Sequence, residues 1–181
     1  ITSLAAPSNY VGPGRVFGSA SSTPEDLPLV RPLLDDEFQP WMPPRHKNGY
    51  RPRWQGDDRV PDSLAEAIRS FVYACAVRKL RGQGSKHSSM LIHVTRFTSV
   101  QNAVVNQVAE YVRDLKGRYT RGIELENLEA SMRTEYQETF LPGMQGIRSA
   151  LVEGETLEDF SWADIRAVFP DVLSDIRVRE I

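Results

Sequence analysis

Proline is concentrated in the first third of this chain, and its distribution limits where regular secondary structure can form. Ten of the twelve prolines lie at or before Pro61, and only Pro142 and Pro170 come later in the 181 residues. Proline has no backbone N–H and a fixed φ angle, so it is disfavoured in helix interiors and central strands. We therefore expect residues 1–60 to be an extended, irregular segment that packs on a core built from residues 61–181.

The composition indicates a globular protein with its own core. Hydrophobic residues make up 40% of the chain and charged residues 25%, close to the averages of folded domains. No run of about 18 apolar residues is present, so we expect no membrane-spanning helix. The single cysteine, Cys75, lies in an apolar helical pattern and has no intramolecular disulfide partner. This favours a reducing compartment, and we expect the protein to be cytoplasmic.

Charge is divided along the sequence. Residues 1–59 are neutral in total, residues 60–121 carry a net +6, and residues 122–181 carry a net −8. The overall net charge of −2 excludes a globally basic coat for nucleic acid. A division of this kind suits docking, because complementary charged patches steer and orient binding partners.

Apolar periodicity predicts a chain dominated by helices. Apolar residues recur at helical spacing over about 63–81, 99–116, 123–140, 144–151 and 161–168. Two short apolar runs, 90–95 and 176–181, are candidate strands, and the first is typical of a strand buried on both faces. We therefore predict a helix-rich α/β fold, in which these two short strands, with a parallel pairing as one option, are surrounded by helices. The alternative is a mostly helical bundle with 90–95 as its only strand.

The junction between the first predicted strand and the next helix is a candidate anion site. Arg96, Thr98 and Ser99 lie there, where a helix N-terminus offers free backbone N–H groups and the positive end of its dipole. Ligands of open α/β sheets also bind at the carboxyl ends of the strands. The structural alternative is that Thr98 and Gln101 form a capping box and that Arg96 pairs with an acid.

A basic group covers the end of the first long helix and the loop after it: Arg78, Lys79, Arg81, Lys86 and His87. Such a group can contact nucleic-acid phosphates without reading sequence. It can equally face a partner or solvent, since cations stabilise a helix C-terminus in their own right.

A third candidate interleaves basic residues with aromatic ones over residues 45–54. Tyr50 and Trp54 in this setting resemble the stacking platforms that bind single strands. We favour the alternative, a loop that its aromatic residues pin to the core.

The predicted site contacts DNA or a partner protein and comprises Arg78, Arg81, Lys86, His87, Arg96, Thr98, Ser99 and Gln101. We expect no catalytic residue, because the sequence shows no Gly-rich phosphate loop, no paired nucleophile and base, and no nuclease-like spacing of acids. We also expect no metal ligand, because three histidines and one cysteine do not fit a familiar zinc spacing.

Several runs of this sequence resemble the Z-one (Z1) domain, which is found in bacterial proteins related to superfamily-two helicases, often in restriction or phage-defence settings. The runs that carry the resemblance are SLAEAIRSF (63–71), ACA (74–76), RKLRG (78–82), HSSMLIHVTRFT (87–98) and VQ (100–101). The upstream SNYVGPGRVFG (8–18) is similar to the segment that precedes the domain in such proteins.

The resemblance implies a larger parent that hydrolyses ATP with Mg²⁺ and moves on or remodels double-stranded DNA. The phosphate-binding loop, its acidic partner motif and the arginine motif facing ATP are absent here. We therefore expect this chain, which begins with Ile1 and stops in a predicted strand, to be a fragment that neither binds nor hydrolyses ATP.

Three functions follow as hypotheses. The first is a domain that couples an ATP-driven motor to the nuclease subunit of a restriction complex by protein contacts. The second is a module that grips the backbone of double-stranded DNA. The third, a free-standing hydrolase, requires catalytic residues that the sequence does not display.

Overall fold

The computed structural model describes residues 30–151 and 158–180 of the chain. Their regular structure is helical throughout, and two short π-helical segments, Lys79–Gln83 and Tyr136–Phe140, extend the helices that precede them. The six α-helices are α1 (Asp35–Phe38), α2 (Asp62–Arg78), α3 (Thr98–Arg121), α4 (Leu125–Glu135), α5 (Leu141–Leu151) and α6 (Trp162–Asp175).

Helices α2 and α3 share two apolar clusters. The first half of α2 buries Ala65 and Ile68 in one cluster with Val104 and Val108 of α3. Its second half shares another cluster with Leu115, near the end of α3, and with residues of α6. Residues 84–97 connect the helical stretch that begins with α2 to the start of α3.

The irregular chain between α1 and α2 packs on one side of α2 and α3. Trp41 and Trp54 are buried against α2 and α3, and a buried glutamine of α3 organises the polar groups beneath them. The Trp41 indole N–H donates to Gln107 Oε1 at 2.8 Å. Gln107 Nε2 donates to the Pro52 carbonyl at 2.6 Å and to Asp58 Oδ1 at 2.7 Å. These bonds satisfy buried donors and acceptors on three parts of the chain.

Aromatic side chains fill the second cluster, where α4, α6 and the Tyr136–Phe140 segment cover α2. Tyr73 lies at its centre, with its ring 5.6 Å from that of Tyr136 and 6.0 Å from that of Phe169. The Tyr136 hydroxyl donates to the Phe160 carbonyl at 2.8 Å and so holds the entry to α6. This cluster fixes the C-terminal helices on the α2–α3 pair.

The prediction of two strands is wrong for the part of the chain that the structure describes. Residues 90–95 have no regular secondary structure and pair with no strand, and 76% of Leu91 is exposed to solvent. An apolar run of this kind becomes a buried strand only where neighbouring strands cover it, and none of the described residues forms one. Ile92 packs partly against the core, while Met90 and Val94 stay accessible.

The second predicted strand, 176–181, is also not a strand over its described residues, 176–180. It runs back along α3, with Ile176 and Val178 packed against the core. The Lys116 ammonium donates to the Ile176 carbonyl at 2.8 Å, and the Asn102 amide nitrogen, oriented to satisfy both of its polar atoms, donates to Glu180. Contacts with a helix thus replace the expected sheet.

The helices themselves differ from their predicted form in detail. α3 begins at Thr98 itself, so the capping box of Thr98 and Gln101 does not form, and no side chain caps the first turn of α2 or α3. Gly82, at φ 72°, lies near the end of the first helical stretch, in a conformation that favours glycine. The Tyr136–Phe140 segment leads directly into α5, and Pro142 lies in the first turn of that helix, where proline is tolerated.

Replacement of the buried glutamine tests its structural role. We expect Gln107→Ala to lower the free energy of unfolding by about 1–3 kcal/mol, because it leaves the Trp41 indole and the Pro52 carbonyl without their partner. Asn106→Ala, on the exposed face of the same helix, is the control and should change stability by less than about 0.5 kcal/mol. Urea unfolding of both variants measures the difference, and equal stabilities would contradict this role.

The buried tyrosines predict alkaline instability. Burial raises the pKa of Tyr73, Tyr111 and Tyr119, and it raises that of Tyr136 to about 12. An unfolded tyrosine titrates near pH 10, so the folded state keeps protons that the unfolded state loses. Stability should therefore be complete below about pH 10 and fall above it, by up to about 1.4 kcal/mol per pH unit for each tyrosine.

Denaturant unfolding between pH 8 and 12, followed together with tyrosinate absorbance, checks this expectation. The tyrosinate signal of these four residues should rise with unfolding rather than before it. Ionisation of all tyrosines near pH 10 in the folded protein would contradict it.

Candidate functional site

The most exposed apolar segment among the described residues, 90–94, belongs to the connection between α2 and α3, which comprises residues 84–97. Its N-terminal end is held by Arg78, the last residue of α2. The Arg78 guanidinium donates to the Ser88 hydroxyl at 2.7 Å and to the His87 carbonyl at 3.2 Å. Arg78 thus fixes the point at which the chain leaves the loop after α2.

The C-terminal end is held at Thr95, whose side chain is buried. Its Oγ1 lies 2.6 Å from His46 Nε2 and accepts from the Phe97 N–H at 3.3 Å. The Gln101 side chain donates to the Thr95 carbonyl at 2.7 Å. The His46 ring also packs edge-on against Phe97, with 5.6 Å between ring centres. The loop that carries His46, the exposed segment and the start of α3 are therefore joined at Thr95.

Between these two anchors the chain presents apolar side chains to solvent. Met90 and Val94 are each 36% exposed, and Leu91 is the most exposed of the large apolar residues that the structure describes. Within the described residues, the backbone amides and carbonyls of residues 90–94 have no hydrogen-bond partner. The segment is thus irregular, held at both ends and largely uncovered between them.

Four of the eight polar residues predicted to bind DNA or a partner make side-chain contacts inside the molecule. Beyond Arg78 and Gln101, Arg81 donates to the Glu158 carbonyl at 3.3 Å. The Ser99 hydroxyl donates to Asn48 Oδ1 and accepts from the Gly49 N–H. These side chains hold loops in place, so they contribute less to any external contact than the sequence pattern indicates.

Four of the predicted residues keep exposed side chains near the segment: Lys86, His87, Arg96 and Thr98. Lys86 forms no ion pair with any residue that the structure describes, and Arg96 lies over the Phe97 ring at 5.1 Å from its centre. No Asp or Glu occurs between Glu66 and Glu110 in the sequence. The stretch of sequence that carries the exposed apolar residues therefore contains cations and no acidic residue.

The structure places the third candidate, residues 45–54, as a loop pinned to the core. Trp54 is buried, and its indole N–H donates to Asp62 Oδ2 at 3.2 Å. Tyr50 packs partly against the same apolar cluster. These aromatic faces are occupied, so the loop offers no stacking platform through Trp54.

A broad groove of about 1070 Å³ lies beside α2 and α3. Its charged residues pair among themselves or with neighbours: Arg118 with Asp114, Arg113 with Glu110, and Arg69 with Glu135. These pairs leave little net charge to attract an ionic ligand, so the groove is a weaker candidate than the exposed segment.

Among residues 30–151 and 158–180, no three His, Cys, Asp or Glu side chains come together in a way that could hold a metal ion. None of the helices in these ranges has a stretch long and apolar enough to cross a membrane.

Comparison with known families identifies the chain. The family model of the Z1 domain matches residues 63–181, about two thirds of the sequence. The chain therefore belongs to the Z1 domain family. No curated protein and no solved structure matched it.

Sequence reasoning missed the anchors on the N-terminal side of the site. His46 and Asn48 meet Thr95 and Ser99 across 49 and 51 positions of sequence. No local pattern encodes contacts at such separations. The one available signal was the sequence around His46, where aromatic residues and a run of prolines suggested a loop packed on the core.

Removal of the Arg78 side chain, which holds the N-terminal end of the exposed segment, should make that end more mobile. In Arg78→Ala the bonds to His87 and Ser88 are lost, and we expect the backbone order parameters of residues 85–90 to fall from about 0.8 to below about 0.6 in ¹⁵N relaxation. Lys79→Ala, which removes an exposed ion pair with Asp171 instead, is the control. Unchanged order in Arg78→Ala would show that this contact does not hold the segment.

Proposed function

We propose that this Z1 domain is a non-catalytic coupling domain of an ATP-dependent, helicase-like restriction–modification protein. In this role it passes motion from a motor, which uses ATP and Mg²⁺ on double-stranded DNA, to a nuclease subunit through protein contacts. The assembly would act in the cytoplasm in defence against phage. The cofactors belong to the motor, and this chain supplies the docking surface.

One observation carries the proposal: the exposed apolar segment of residues 90–94, fixed at both ends. Isolated apolar side chains on a surface need no explanation, but several of them on one extended, uncovered segment mark an interaction site. Covering apolar groups with a protein surface lowers the free energy because it removes them from water. Contact with water or with phosphate groups gives no such stabilisation. Contact with a protein therefore suits this segment better than contact with DNA.

The anchors strengthen this argument. Ordering a flexible segment on binding costs conformational free energy, so a segment that is already held in shape binds with less loss. Arg78 at one end and Thr95 at the other supply that order before any partner arrives. Several residues of the predicted site would thus act by positioning the docking segment.

A second function, binding to the DNA backbone, has a different observation in its favour. Lys86 and Arg96 are exposed, and the stretch around them lacks acidic residues. Two such cations give modest, salt-dependent affinity for phosphates. Since Arg78 and Arg81 are engaged inside the molecule, this remains the alternative function.

Co-elution with the nuclease subunit of the same operon tests the proposal. At two salt concentrations, for example 50 and 300 mM, we expect a stable complex in size-exclusion chromatography, because an apolar contact survives screening. Separate elution at both concentrations would overturn the coupling role. Binding of duplex DNA that weakens linearly in log affinity against log salt would then favour the alternative.

A further inference from the structure

We propose that the partner presents an apolar depression for Leu91, with carboxylates on its rim that face Lys86 and Arg96. This inference rests on the proposed coupling function and adds the chemistry of the partner's surface. It assigns the anchor of the interface to one side chain and the orientation of the partner to two cations.

Leu91 has the properties of an interface anchor. It is 76% exposed, it lies between the partly exposed Met90 and Val94, and it sits on a segment held at both ends. Binding energy in protein interfaces concentrates on a few side chains that fill pockets near the centre. If a depression on the partner takes up Leu91, Met90 and Val94 would lie at the edge of that depression.

The two cations lie symmetrically about this anchor in the sequence. Lys86 and Arg96 are each five positions from Leu91, and neither has a carboxylate partner within the described part of the chain. Five extended residues span at most about 17 Å. Both cations are exposed, and they flank the apolar residues 90–94 in the sequence within that reach. We assign them to the rim of the contact, where charge sets orientation and association rate.

Charge also decides between occupants of this surface. A second copy placed on the same patch by two-fold symmetry would bring Lys86 and Arg96 against the same cations of its partner. Like charges so placed oppose association. A nucleic acid would satisfy the cations but leave Leu91 uncovered. A protein that is apolar at the centre and acidic at the rim satisfies both.

The test compares two leucines of similar exposure. Leu91→Ser should weaken binding to the nuclease subunit by about tenfold or more in isothermal titration calorimetry. Leu34→Ser, at a 69% exposed leucine beside α1, should bind as the unchanged chain does. Lys86→Glu and Arg96→Glu should each slow association and lessen its dependence on salt.

The outcomes separate the two proposals. If the unchanged chain forms no complex, the coupling function is overturned, and this inference with it. If a complex forms and Leu91→Ser binds with unchanged affinity, the coupling function stands and the docking surface is wrong. If the chain alone sediments as a dimer that Leu91→Ser dissociates, a second copy is the occupant and the acidic partner is overturned.

Discussion

The two apolar clusters that α2 and α3 share are the constraint on which the rest of this structure depends. They hold both helices in the core and leave the chain between them, residues 84–97, to join the two over the surface. Its exposure follows from the helix arrangement and from the absence of any described strand to cover it.

Polar contacts hold the connection between α2 and α3 in place. Arg78 holds the segment where it leaves α2, and the contacts at Thr95 hold it where it enters α3. These hydrogen bonds are few, but they lie at both ends of the segment, so the apolar residues between them are held in a defined conformation. An interface built on such a segment gains affinity from order that the fold has already established.

The sequence predicted the long helices because apolar spacing is a local feature, and this spacing defined α2 and α3. The strand predictions at residues 90–95 and 176–181 failed. An apolar β-branched run is compatible with a buried strand, but it becomes a strand only where neighbouring strands pair with it. Sequence reasoning also failed at His46 and Asn48, whose partners lie some fifty positions away.

The sequence by itself determined the membership of the Z1 family, the helical content and the division of charge, since each depends on residue type and local order. Only the tertiary structure decided which polar residues are available. It engaged Arg78, Arg81 and Ser99 in hydrogen bonds within the molecule and left Leu91 exposed between Lys86 and Arg96. The physical reason is that availability depends on what covers a side chain, and that cover comes from parts of the chain distant in sequence.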